Sequence, residues 1–351
     1  MKRRTFLATT SKLSLAMTIP YSFSRRGFAA MLPSDLTSLS AVHLSQAIRE
    51  KHASCVEVMQ AYLSRIDKYN GVYNAIVSLQ SDQDLLKQAQ EADDELAAGR
   101  YRGWMHGMPH AVKDLAAVGG IRHTSGSLLY ADRIAEQDSA MVSRIRAAGA
   151  IFIGKTNTPE FGLGSQSYNP IFGATGCAYN PGLTSGGSSG GAGSALGTQM
   201  LPVADGSDMM GSLRNPAAFN NVIGFRPSTN VMSGGSADQR GLSTSGPMGR
   251  NTEDTIQFLR TIAVKDFGTD FSPLDISSTK IGWLGSLNDY FALEPGILDL
   301  CQNGLEEISQ EGAAIEELLP SFNPSDLWFS WTTLRHLGRA SMKRFFDDPV
   351  L

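Results

Sequence analysis

Two serine and glycine clusters hold the residue types from which this sequence could build a reactive site. The first is Gly186-Gly187-Ser188-Ser189-Gly190-Gly191, and the second is Asp208-Met209-Met210-Gly211-Ser212-Leu213-Arg214. Glycine is favoured where the chain needs positive φ or where backbone N–H groups must approach a ligand, and it weakens ordinary helices and strands. Each cluster therefore offers hydroxyls beside exposed amides, as expected of a site lined by backbone.

A serine that reacts needs a base, and the histidines are poorly placed to supply one. Gly186-Gly-Ser188-Ser-Gly190 and the overlapping Gly187-Ser-Ser189-Gly-Gly191 fit the nucleophile-elbow pattern GxSxG, but that arrangement needs an acid and then a histidine downstream. Of the six histidines, only His336 follows the serines. A lysine can serve instead if burial lowers its pKa enough to leave it neutral. Lys113 ends the apolar run His110-Ala-Val-Lys113-Asp114 and suits that role, although the same features fit a surface lysine. A third pattern, Gly149-Ala-Ile-Phe-Ile-Gly154-Lys155-Thr156, matches the phosphate-loop expression GxxxxGK[ST]. Its four middle residues read as a strand and Pro159 soon follows, so a cradle of backbone amides is not expected there.

The elements that must position these groups are legible from periodicity. Leu39, Leu44 and Ile48, then Val56, Met59, Leu63 and Ile66 after a cap at Ser54, predict two helices. A third runs from Ser81 through Leu85, Ala89, Ala92 and Leu96 to a stop at Gly99. From Gly103 the character changes: 26 of the 36 glycines lie between there and Gly249, among short apolar runs that read as strands joined by tight turns. A helix over 139–148, with Asp138 or Ser139 as cap, leads into a strand at Ala150-Ile-Phe-Ile153, the pattern of α/β layering. Beyond Gly249 the spacing predicts helices over 254–264 and 295–311, strands at Lys280-Ile-Gly-Trp-Leu284 and after Gly312, and a last helix over 334–346.

Composition narrows the function classes. With 351 residues, 42% hydrophobic and 18% charged, the chain can bury a real core. A formal net charge of -4 without basic clusters argues against a nucleic-acid partner. Cys55, Cys177 and Cys301 are too far apart for a zinc site or a disulfide framework. No stretch is long and apolar enough to span a membrane. Residues 1–30, with Lys2-Arg3-Arg4 before Thr5-Phe6-Leu7 and ending at Phe28-Ala29-Ala30, look like a twin-arginine export signal, which predicts a periplasmic protein; a basic N-terminus on a cytoplasmic one is the alternative.

Taken in order, four segments resemble the amidase signature hydrolases. They are Gly107-Met-Pro-His-Ala-Val-Lys113-Asp114, Gly154-Lys-Thr-Asn157-Thr-Pro-Glu160-Phe161, the first serine cluster, and Asp205 through Gly211-Ser212-Leu-Arg214-Asn-Pro to Gly224-Phe-Arg-Pro227. The resemblance is specific over 103–227 and fainter outward to the helices from Leu36 and to about Leu319. It implies one α/β domain over 31–351, with a catalytic core at 103–250 and a mixed twisted β-sheet sandwiched between α-helices. It also implies a serine amidohydrolase acting on a small-molecule carboxylic amide without metal or cofactor, and is compatible with a homodimer.

Carried over residue by residue, the resemblance makes Ser212 the nucleophile, Ser188 the bridging serine after a cis Gly187-Ser188 bond, and Lys113 the base. Backbone N–H groups of Met209, Met210, Gly211 and Ser212 would hold the oxyanion, and Asp208 and Arg214 would brace the loop as an ion pair. Two departures stand out. The family commonly carries glycine where this chain has Met210, a side chain that costs energy if that backbone needs positive φ. Members also usually continue well beyond this chain's end, so the resemblance implies a C-terminally truncated relative. The rival readings are a catalytically inactive truncated homologue and the amidase subunit of a tRNA-dependent amidotransferase.

Overall fold

A computed structural model describes residues 32–228, 231–232, 242–266, 274–319, 321–343 and 347. The expected export signal at 1–30 lies outside the described residues.

The N-terminal helices form where their caps predict. Helix α1 spans Ala41–Arg49 and α2 spans Cys55–Tyr73. At the start of α2, Ser54 Oγ accepts the Glu57 N–H while Glu57 returns a carboxylate oxygen to the Ser54 N–H, so two otherwise unpaired donors are satisfied reciprocally. After the short strand β1 (Ile76–Val77), α3 (Asp82–Ala97) begins at the Ser81 cap and is followed by Gly99 at φ 79°. Leu44, Ile48, Val58, Met59 and Leu85 face the main core.

Strands β2 (Pro109–Lys113) and β3 (Ile151–Thr156) run parallel, connected through helix α4 (Ala140–Ala147), and β1 adds antiparallel to β3. Every residue of β2 and β3 is buried, as expected of strands covered on both faces. Strand β3 continues two residues past Gly154, which fixes Lys155 inside the sheet. Its ammonium meets the Ala116 carbonyl and lies 3.7 Å from Asp114, both protein groups, so the phosphate-loop match has no cradle.

Two small antiparallel pairs follow, Tyr168–Asn169 with Gly173–Ala174 and Gly176–Cys177 with Asn180–Thr184. Helix α5 (Gly190–Gly197) then leads to β4 (Val203–Asp208), α6 (Arg214–Asn220), β5 (Ile223–Gly224), β6 (Thr244–Gly249) and α7 (Thr252–Ile262). Strand β6 lies between β4 and β5, antiparallel to both. This second sheet meets the first where β4 passes β2: Asp205 accepts the Lys113 N–H at 3.2 Å and contacts His110 Nε2 at the same distance.

The C-terminal elements are β7 (Lys280–Trp283), α8 (Ile297–Gln310), β8 (Ala314–Glu317), parallel to β7, and α9 (Pro324–Arg339). The last helix starts ten residues earlier than its apolar spacing predicts. Asn323 caps it by accepting the Ser325 N–H, and Pro324 at the first helical position has no N–H to lose. Trp328 and Trp331 are therefore helical, one turn apart, with ring centroids at 5.2 Å.

Candidate active site

Lys113 closes β2 inside the protein, with only 1% of its surface exposed. Its Nζ stands 2.7 Å from Ser188 Oγ, 2.8 Å from Ser189 Oγ and 3.0 Å from Ser207 Oγ. Burial pushes its pKa down to about 7, against the opposing pull of the Asp205 and Asp208 carboxylates. A neutral amine has two N–H bonds and one lone pair, so it can donate to two of the three hydroxyls and accept from the third. The surface-lysine reading is excluded by this geometry.

The first serine cluster is shaped by backbone approach. The Gly187-Ser188 peptide is cis. A Cβ on Gly187 would come within 2.8 Å of the Gln166 nitrogen, and one on Gly191 within 2.3 Å of the Asn157 nitrogen. Ser167 supports the turn: its hydroxyl accepts the Gly190 N–H and lies 3.2 Å from the Ser188 carbonyl. The Ser189 N–H donates to the Ser212 carbonyl at 3.2 Å, which joins the two clusters.

The second cluster turns around Asp208. Its fully buried carboxylate accepts the N–H of Gly211 at 2.8 Å and of Leu213 at 3.1 Å. It also receives both Arg214 contacts at 3.0 Å and Arg226 at 3.1 Å. Burial alone would raise its pKa, but hydrogen bonds from Arg214 and the two amides overcome that and hold it at about 2. The expected Asp208–Arg214 brace is therefore present, with Arg226 as a second cation.

One expectation for this turn needs correction. The Gly211 N–H is engaged by Asp208, because a charged acceptor within 2.8 Å claims the donor; the remaining candidates for an oxyanion are the N–H groups of Met209, Met210 and Ser212. The positive φ of the turn falls on Gly211, at 107°, so the condition that would have strained Met210 is not met. Met210 carries its side chain outward, 53% exposed, without that strain.

Ser188, Ser207 and Ser212 open together onto a cavity of about 230 Å³. Leu115, Phe161, Leu163, Met209, Met210 and Trp331 form most of its apolar wall, and Arg335 also lines it. Among the described residues, no group of three His, Cys, Asp or Glu side chains could hold a metal ion. The arrangement can pass a proton from a hydroxyl at the cavity surface to a buried amine, beside amides able to receive developing negative charge.

Sequence reasoning missed Ser189, Ser207 and Asp205 as neighbours of the lysine. A signal existed for the last two: residues two apart on a strand face the same side. Asp205 and Ser207 on β4 accordingly both reach Lys113, one at its backbone and the other at its amine.

A family model described as Amidase matches residues 57–340. The chain is 32% identical over 315 residues to an acylamidase of Rhodococcus erythropolis, covering 86% of this chain and 66% of the relative. It is 33% identical over 310 residues to a glutamyl-tRNA(Gln) amidotransferase subunit of Corynebacterium jeikeium (strain K411), covering 83% and 62%. The fold superposes on a bacterial aryl acylamidase of the amidase signature family with a TM-score of 0.77 at 25% identity, over 89% of this chain and 68% of that one. This chain thus spans a little under two thirds of the length of the two sequence relatives.

Proposed function

The chain belongs to the amidase signature family, and from that premise we propose that it hydrolyses a carboxylic amide through an acyl-enzyme on Ser212, with Ser188 relaying the proton to Lys113. The observation that carries this reading is the buried Lys113 amine 2.7 Å from Ser188 Oγ, with a pKa near 7. Neutral Lys113 takes the Ser188 proton as Ser188 takes that of Ser212, and Ser212 Oγ adds to the amide carbon. The carbonyl electron pair moves onto oxygen, facing the N–H groups of Met209, Met210 and Ser212. As the tetrahedral centre collapses, the C–N bond breaks and the departing amine receives the proton from Lys113 through Ser188. Water then attacks the acyl-serine by the same relay, releasing the acid and restoring Ser212.

An alkyl fluorophosphonate tests this directly. One phosphonyl adduct is expected on Ser212 and none in Ser212→Ala. A folded protein that takes no label would instead be an inactive homologue, and a variant still labelled elsewhere would move the nucleophile.

The likeness to the amidotransferase subunit supports a second reading, the amidase subunit of a tRNA-dependent amidotransferase. Lys2-Arg3-Arg4 supports the first, because it points to export by the twin-arginine route. Expressed in its native host, the protein is expected in the periplasmic fraction with its N-terminus cleaved near Ala30; an uncleaved cytosolic protein would favour the second.

A further inference from the structure

We propose that the amide taken by this site carries a carboxylate, received at the α9 wall of the cavity by the Arg335 guanidinium, which the Trp331 ring holds in place. The inference rests on the amidase reading and adds the substrate class.

Among the described residues lining the cavity, Arg335 is the one with a charged side chain. Trp331 and Arg335 are four residues apart on α9 and therefore share a face. The guanidinium lies over the Trp331 ring, 5.1 Å from its centroid, and has no carboxylate partner among the described residues. A guanidinium held against an aromatic ring can still offer its N–H donors in the fork that matches the two oxygens of a carboxylate. The indole Nε1 is itself buried and closed off from the cavity, so the ring holds the arginine in place and the guanidinium is the group that meets the ligand.

The other charges nearby do not compete. Asp208 is engaged by Arg214 and Arg226, and the Lys113 amine is held behind Ser188 by three hydroxyls. The rest of the wall is apolar or neutral, and about 230 Å³ is small beside the ~300–1,000 Å³ of pockets for drug-sized ligands. The occupant these features fit is a compact amide with a short apolar body and one anionic end.

The carboxylate can sit on the acyl or on the amine half, and three anilides separate the cases: neutral butyranilide, 4-anilino-4-oxobutanoate with the charge on the acyl side, and 4-(butyrylamino)benzoate with it on the amine side. Binding is measured by calorimetry on the full chain carrying Ser212→Ala, which needs no chemistry to report. One of the two anions is expected to bind about ten- to hundredfold more tightly than butyranilide. Adding Arg335→Gln should bring that ratio to near one, Arg335→Lys should keep part of it, and Trp331→Phe should lower it without removing it. Equal binding of all three compounds, or a preference that survives Arg335→Gln, overturns the proposal. Should Arg335→Gln fail to fold, the Lys and Phe variants still decide, since a ratio unmoved in both of them also overturns it. Fluorophosphonate labelling and turnover by the unaltered chain report on Ser212 separately, so failure of the carboxylate site and failure of the acyl-enzyme reading are distinguishable.

Discussion

Lys113→Met is expected to lower kcat/KM by about three orders of magnitude while leaving the chain folded. Methionine nearly fills the volume of the lysine stem, so the packing of β2 survives. What is lost, on the proposed mechanism, is the lone pair that accepts the Ser188 proton. In the unaltered protein, activity should fall as the pH drops through about 7, where Lys113 takes up a proton and can no longer act as base. The residual rate of the variant should lack that limb. Stability should move with it: the folded pKa lies below the unfolded value of ~10.4, so between about 7 and ~10.4 the unfolded chain binds the extra proton and stability rises with pH. Removing the lysine should abolish that rise, a difference on the order of a few kcal/mol across the window. Steady-state kinetics and denaturant unfolding over pH 6–10 check both effects. A variant that keeps its rate or its pH limb would remove Lys113 from the mechanism.

Asp208→Ala is the second change with a large expected effect, and here the loss is structural first. The substitution removes at once an acceptor shared by the Gly211 and Leu213 amides and two guanidinium groups. Arg214 is 55% exposed on its side chain and can return to water, so its ion pair contributes little; the buried amides and the less exposed Arg226 dominate the cost. A destabilisation of about 3–5 kcal/mol is expected, with activity falling further because the turn bearing Ser212 loses its anchor. Asp208→Asn should be milder, since an amide oxygen can still accept one of the N–H groups. The pH sign is opposite to that of the lysine. The Asp208 carboxylate has a folded pKa of about 2, below its unfolded value of ~3.9. Its contribution is complete above ~4 and is lost as the pH falls toward 2. Denaturant midpoints for the three proteins at pH 7 test the ranking, and an Asp208→Ala midpoint equal to that of the unaltered chain would contradict it.

Much of the site is legible in the residues alone. Helix caps such as Ser54 and Ser81 announce themselves because a side-chain oxygen three residues before a free amide is a local interaction, and both form. The end of β2 at Lys113 and the strand nature of Ile151-Phe-Ile153 follow from apolar runs whose burial depends little on what covers them, whereas the continuation of that strand to Thr156 is set by the sheet around it. Apolar spacing misplaces the start of α9 because the Asn323-Pro324 cap is the stronger signal there. Residue type leaves open whether Met210 is strained; the turn takes its positive φ at the neighbouring Gly211, the residue that adopts it without steric cost.

By itself the sequence determined which chemistry was available: hydroxyls set among glycines, one lysine at the end of an apolar strand, and a carboxylate followed closely by an arginine. Those are properties of residue type and short-range spacing, and they persist in any arrangement that buries the apolar runs. Only the tertiary structure decided that three serines from two elements converge on one amine, that Asp208 takes the Gly211 amide, and that Trp331 and Arg335 from the far end of the chain join the cavity wall. Most of these depend on contacts between residues from tens to more than a hundred positions apart, and burial, which turns an ordinary lysine into a base near neutrality, exists only once those contacts exclude water.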